Sequence, residues 1–194
     1  LKHQLEILHC PSYDKSDGLQ NLIASHRLAF IVSKGDKNPI SDKTNKDEAI
    51  RISALLKTIY TINKNNFNPQ TVGVIVPYRN QIALIRKEIK QLNIPALSDI
   101  TIDTVERYQG SERDFIIYGF TVQKIYQREF LTGNVFKDNG QTIDRKLNVV
   151  LTRARKQLFL IGNPQILSYN IIFQKLINTY RIFHTRQILL LSSR

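Results

Sequence analysis

A three-layer α/β domain with a mostly parallel sheet is the architecture this sequence predicts. Short, β-branched apolar runs alternate with segments whose apolar residues recur every third and fourth position, the pattern of strands interleaved with helices. One run, Val72–Val76 (VGVIV), is apolar at every position, as a strand covered on both faces requires. The chain has 194 residues, 42% of them apolar and 23% charged, which is globular composition and enough for one ordinary core rather than two.

Taken in order, residues 1–27 read as irregular, because Pro11, Gly18 and the polar SYDKSDG favour loop. Leu28–Val32 (LAFIV) is a short apolar run of strand type. A helix is expected from Asn45, where Asn45 and Glu48 have the N-cap and N3 spacing of a capping box. Ile52, Leu55, Leu56 and Ile59 give that helix one apolar face. Val72–Val76 follows as a strand stopped by Pro77, and Ile82, Ile85, Ile89 and Leu92 mark the next helix. Residues 100–105 and 115–121 read as strands, and 122–142 as a long polar loop. A helix begins near Asp144, residues 158–161 form the last core strand, and a helical tail occupies 166–194. The central domain is thus expected over 28–165.

The net charge of +12 and a large excess of Lys and Arg favour a polyanionic partner, nucleic acid first among them. Cys10 is the only cysteine, so no internal disulfide forms. His3, His9, His26 and His184 lack metal-ligand spacing, and no metal site is expected. No apolar run approaches the ~20 residues of a membrane span, so no membrane association is expected and the cytoplasm is the expected compartment. The chain opens at Leu1 and contains no methionine, so it reads as a fragment.

Neither a GxxxxGK[ST] phosphate loop nor a GxGxxG fingerprint is present. In α/β sheets ligands meet the carboxyl ends of strands, so the polar segments leaving them are the places to search. In VIVPYRNQ (74–81), Tyr78 offers a ring face and Arg79 a reach to phosphate, although an ordinary turn with Tyr78 packed on the next helix fits equally. In ITIDTVERYQGSERDFIIYGF (100–120), Gln109, Gly110, Ser111 and Glu112 form a polar turn that suits ribose or water, and also a plain hairpin. Thr104 is placed to touch a nucleic-acid phosphate. In LNVVLTRARKQLFLIG (147–162), Leu147, Val150, Leu151 and Ala154 have helical spacing. At ~100° per residue, Arg153 and Arg155 then flank the apolar face at about 110° and about 90°. Such arginines snorkel beside a core or are aimed at a phosphate.

Together, in this order, the three segments resemble motifs IV, V and VI of superfamily 1 helicases, in the branch of the nonsense-mediated-decay RNA helicase and its DNA-helicase relatives. The helix beginning NKDEA fits the region preceding motif IV, and the resemblance spans residues ~28–165. Glu106 and Tyr108 stand where Asp and Phe are usual. The resemblance implies a RecA-like, P-loop NTPase-type fold, and specifically the second of two motor domains. ATP would bind between the two, with Mg²⁺ held mainly by the first domain, which also carries the phosphate loop. Tyr78 would stack on adenine, Arg79 and Arg153 would reach the γ-phosphate, and Gln109, Gly110 and Glu112 would line the nucleotide cleft. Thr104 would touch single-stranded DNA or RNA, and Arg155 receives no role. The expected function is ATP-dependent helicase or translocase activity in a longer chain, with the isolated fragment inactive. The competing expectation is a non-catalytic basic module binding nucleic acid or protein. A fused nuclease lacks any supporting acidic metal cluster.

Overall fold

The computed structural model describes residues 18–36, 39, 41–108, 111–127, 131, 135–138, 141–179 and 181–183. Six strands form one sheet: β1 (Leu28–Val32), β2 (Val72–Val76), β3 (Thr101–Thr104), β4 (Arg113–Gly119), β7 (Ala154–Gly162) and β8 (Arg181–Phe183). Their spatial order is β3-β2-β4-β7-β1-β8, and every neighbouring pair is parallel. Helices α1 (Gly18–Ser25), α2 (Lys46–Ile62) and α3 (Arg79–Gln91) cover one face. Helices α4 (Arg145–Leu151), α5 (Pro164–Leu167) and α6 (Ile171–Thr179) cover the other. The expected three-layer α/β domain is the observed one.

Strand alternation divides the core. Val72, Val74 and Val76 join Ile52, Leu55, Leu56, Ile59 and Ile85 beneath α2 and α3. Ile75, Ile116, Leu158 and Leu160 join Leu147, Val150 and Phe173 on the opposite face. The apolar residues that mark α2 in the sequence are all 0–1% exposed. Half of the expected capping box forms: the Asn45 side chain accepts the Glu48 N–H at 3.1 Å, but the Asn45 N–H donates to Gln81 rather than to Glu48, whose carboxyl is drawn to Ser33 and Thr121.

Four expectations need correction. The segment before β1 is not irregular throughout, because α1 buries Leu19, Leu22, Ile23 and Ala24. Buried Gln157 on β7 donates to the Ile23 carbonyl and, at 2.9 Å, to that of His26, tying α1 to the sheet. The 122–142 loop contains a short 3-10 turn, Ile125–Gln127, and an antiparallel hairpin of β5 (Val135–Asp138) and β6 (Gln141–Asp144). The tail supplies not only α6 but also β8.

The fourth correction matters most for function. α4 stops at Leu151, Thr152 is its C-cap, and β7 starts at Ala154. Arg153 therefore occupies a turn and Arg155 a strand, and the two do not flank one helix. Ala154 has helical spacing but pairs with Arg113 of β4. Long-range backbone pairing overrides the local period, and periodicity within one segment contains no record of it.

The connection from β3 to β4 is likewise no hairpin, since β2 lies between them. Tyr108 on this crossover is fully buried. A Cβ added at Gly73 of β2 would lie 1.5 Å from its hydroxyl, so only glycine lets the ring lie over the strand.

Candidate functional site

The sheet has two rims, and the candidate residues divide between them. β7 is nine residues long; at ~3.3 Å per residue its ends lie roughly 26 Å apart.

At the carboxyl rim, register sets Val76 beside Thr104. Tyr78, Arg79 and Thr104 therefore gather at this end. Tyr78 is the N-cap of α3 and only 9% exposed, which leaves its ring little surface for a base. Burial, helped by the nearby Tyr126, raises its phenol above the usual range. Arg79 opens α3 and is exposed. Thr104 is 8% exposed, and its hydroxyl bonds the Glu106 carboxylate. Burial works to raise Glu106, but the hydrogen bonds from Lys146 (2.9 Å), its own backbone and Thr104 prevail and hold it below the ordinary value.

Beneath that rim lies a buried polar network. The Glu48 carboxylate accepts from the Thr121 N–H at 2.8 Å and the Ser33 hydroxyl at 3.2 Å. Ser33 follows β1 and Thr121 follows β4, so one carboxyl fastens two strand ends to the start of α2. Desolvation lifts Glu48 to about 8, against the opposing pull of the Thr121 and Ser33 bonds. Thr121 has φ 58°, a left-handed conformation that a β-branched residue rarely adopts. Gln81 extends the network: its amide accepts from the Asn45 N–H at 2.8 Å and donates to the Asn45 carbonyl at 2.9 Å. The helix leaving β2 is thereby locked to the one entering α2.

The amino rim holds Arg153 and Glu112. The Arg113 N–H donates to the Arg153 carbonyl at 3.0 Å, so the residues following α4 lie against those preceding β4. Arg153 is half-buried and folds back on its own helix, donating through Nε to the Val149 carbonyl (3.2 Å) and through Nη2 to the Thr152 hydroxyl (3.1 Å). A guanidinium there satisfies a helix C-terminus and complements its dipole. Glu112 is exposed. Arg155 and Lys156 share Asp114, at 2.9 Å and 2.8 Å, so Arg155 has a partner on β4. Gln109 and Gly110 lie outside the described residues.

The structure therefore brings Arg153 together with Glu112, and Tyr78 and Arg79 together with Thr104. It does not bring Arg79 to Arg153. The sequence assigns nothing to Gln81, and its capping-box spacing points the Glu48 side chain at the Asn45 N–H, which Gln81 takes instead. A glutamine at the third position of a helix leaving a strand end was a signal for Gln81. The bond of Glu48 to Thr121 had no local signal, because the two are 73 residues apart in sequence.

The all-parallel sheet covered on both faces is the three-layer architecture of a RecA-like, P-loop NTPase-type domain. A family model described as an AAA domain matches residues 9–165. The chain belongs to that family, as the second RecA-like motor domain of superfamily 1 helicases. It is 27% identical over 157 residues to the putative helicase mov-10-B.1 of Danio rerio, covering 76% of this chain and 15% of that protein. It is 30% identical over 165 residues to the regulator of nonsense transcripts 1 homolog of Arabidopsis thaliana, covering 82% and 12%. It is 32% identical over 114 residues to the DNA replication ATP-dependent helicase/nuclease DNA2 of Xenopus tropicalis, covering 59% and 10%. The chain thus spans 10% to 15% of the length of these relatives. Among the described residues no helix is long and apolar enough to cross a membrane.

Proposed function

We infer that this chain is the second motor half of an ATP-dependent helicase or translocase, with residues 28–165 as its central unit between 1–27 and 166–194. Its amino rim meets the nucleotide, and its carboxyl rim meets single-stranded DNA or RNA. The observation that carries this reading is the placement of Arg153 and Glu112 on one rim, joined through the Arg113 N–H to Arg153 carbonyl bond, while Thr104 stands on the other. Two rims on one rigid sheet allow nucleotide chemistry at one end to move a nucleic-acid grip at the other.

Arg153 is the arginine finger. Phosphoryl transfer depends on positioning and charge stabilisation, and such a finger contributes ~10³–10⁵ in kcat. The residues present fit part of an ATP site: one guanidinium for phosphate charge and one exposed carboxylate, Glu112, for ribose hydroxyls or ordered water. Gln109 and Gly110, three and two residues before Glu112 in sequence, are assigned to the same nucleotide by the motif resemblance alone. ATP itself supplies the transferable phosphoryl group, and Mg²⁺ and the phosphate cradle belong mainly to the first RecA-like domain. To act, Arg153 exchanges its bonds to Val149 and Thr152 for one to phosphate. Hydrolysis is thereby coupled to closure against that first domain, the partner within the full-length protein, and the isolated chain does not turn over ATP. Tyr78 and Arg79, on the opposite rim, contact the nucleotide only as far as the first domain brings it to them. The cytoplasm is the proposed compartment.

In the full-length protein, Arg153→Ala should lower strand-stimulated ATPase by roughly 10³-fold or more while ATP binding persists. Unchanged turnover would refute the assignment. The fold-back of Arg153 onto α4 favours a second reading, a non-catalytic module in which this arginine only caps a helix. In that case Arg153→Ala lowers stability and leaves turnover intact.

A further inference from the structure

The segment after β4, which the family resemblance leaves without a role, carries an aromatic side chain set out on a built support. Tyr126 is 57% exposed, yet it is not a loose surface residue. Its hydroxyl donates to Asp42 Oδ2. The other carboxylate oxygen takes the Lys124 ammonium at 3.0 Å, and that ammonium lies 5.9 Å from the centre of the Tyr126 ring.

The backbone beneath is fixed as well. Gln127 is 5% exposed, and its amide oxygen accepts from the N–H groups of Gln123 (2.8 Å) and Lys124 (2.7 Å). Its amide nitrogen donates to the Asp42 carbonyl. Gln123 donates in turn to the Thr44 carbonyl. Two segments about 80 residues apart in sequence are laced together, and the result is a ring anchored by its hydroxyl, with the Lys124 ammonium over it and more than half of the residue exposed.

Position adds to this. Tyr126 lies in the turn that follows the carboxyl end of β4, so it stands on the same rim as Thr104. Lys34 follows β1, Lys43 precedes α2, and Lys46 and Arg79 open α2 and α3; all four are exposed and belong to segments at that rim. Asp42 is already neutralised by Lys124, which leaves these cations to set the local potential. An exposed, anchored aromatic ring on a rim that also carries exposed cations is the pattern by which proteins hold single strands, base on ring and phosphate on cation.

We propose that Tyr126 is a base-stacking platform for a single-stranded nucleic acid crossing the carboxyl rim, with Asp42 and Lys124 as the residues that position its ring. The proposal rests on the motor-domain reading above and names a contact for its nucleic-acid grip. The test is fluorescence anisotropy of labelled oligothymidylate and oligouridylate with the full-length protein. Tyr126→Ala should weaken binding roughly 5- to 150-fold, the range for one base stacked on an aromatic side chain. Tyr126→Phe and Tyr126→Trp should retain most of the affinity, and ATP binding by all three variants reports an intact fold. No cation is lost, so the slope of log affinity against log salt should stay unchanged in Tyr126→Ala, whereas Lys43→Ala with Lys46→Ala should flatten it. Equal affinity of Tyr126→Ala and the unaltered protein would overturn the stacking site alone and leave Tyr126 to a protein partner. Failure of the unaltered protein to bind any single strand would overturn the motor-domain reading as well.

Discussion

The two rims of the sheet are held by different physics. At the carboxyl rim a buried carboxyl, Glu48, a buried amide, Gln81, and the Asn45 cap join the ends of β1 and β4 to the starts of α2 and α3. All three side chains are fully buried, where an unmade hydrogen bond is expensive and each made one is decisive. At the amino rim buried Gln157 ties α1 to β7, but the charged contacts are exposed or half-exposed: Arg155 and Lys156 on Asp114, and Arg153 folded onto the end of α4. Surface pairs of that kind contribute little and exchange readily. One rim is rigid by construction; the other keeps its charges available to a partner.

The sharpest way to break that contrast is through Glu48. Its carboxyl keeps a proton in the folded chain up to about pH 8, while the ordinary value is 4.5. Between those values the unfolded chain releases a proton that the folded chain retains, so stability falls as pH rises across the window. The slope reaches about 1.4 kcal/mol per pH unit for a single group. Glu48→Gln keeps an acceptor for the Thr121 N–H and removes the titration. Urea unfolding at pH 5, 6, 7 and 8 should give a variant-minus-native difference that grows with pH. A constant difference would mean that Glu48 is ionised in the fold.

A somewhat smaller effect is expected at Gly73. Its replacement by alanine drives a methyl into the buried Tyr108 ring and displaces the crossover that leads to Glu112. Overpacking of this kind costs about 1–3 kcal/mol, readable as a lower denaturant midpoint at unchanged slope. Combined with Tyr108→Ala, whose own cost is about 3–5 kcal/mol, the loss should fall short of the sum of the two single losses because the clash partner is gone; full additivity would place the strain elsewhere. The smallest effect belongs to Asp114→Ala. Loss of two exposed ion pairs should cost about 1 kcal/mol or less, and the cost should shrink further in high salt. A loss as large as that at Gly73 would make the amino rim as rigid as the carboxyl one.

The local features were legible in the sequence wherever local chemistry decides them. VGVIV could be read as a doubly covered strand, and Ile52, Leu55, Leu56 and Ile59 as a buried helix face. Asn45 could be read as an N-cap because a cap forms with a residue three positions away. The reading failed where contact partners are remote. Thr-Arg-Ala-Arg was given helical geometry, although β4 captures Ala154 and ends the helix. The turn at Gln109 to Glu112 suited a hairpin until β2 was found between its strands. The motif resemblance assigns Tyr78 and Arg153 to one nucleotide, and the fold sets them at opposite ends of the sheet.

By itself, then, the sequence determined the class of fold, the order of most elements and the family, because apolar periodicity, capping chemistry and motif order are all local along the chain. Only the tertiary structure decided which candidate residues share a rim, where Glu48 spends its carboxyl oxygens and what holds Tyr126. Parallel pairing brings residues 36 to 85 positions apart into hydrogen-bond range, and no short-range pattern encodes the partner at the other end.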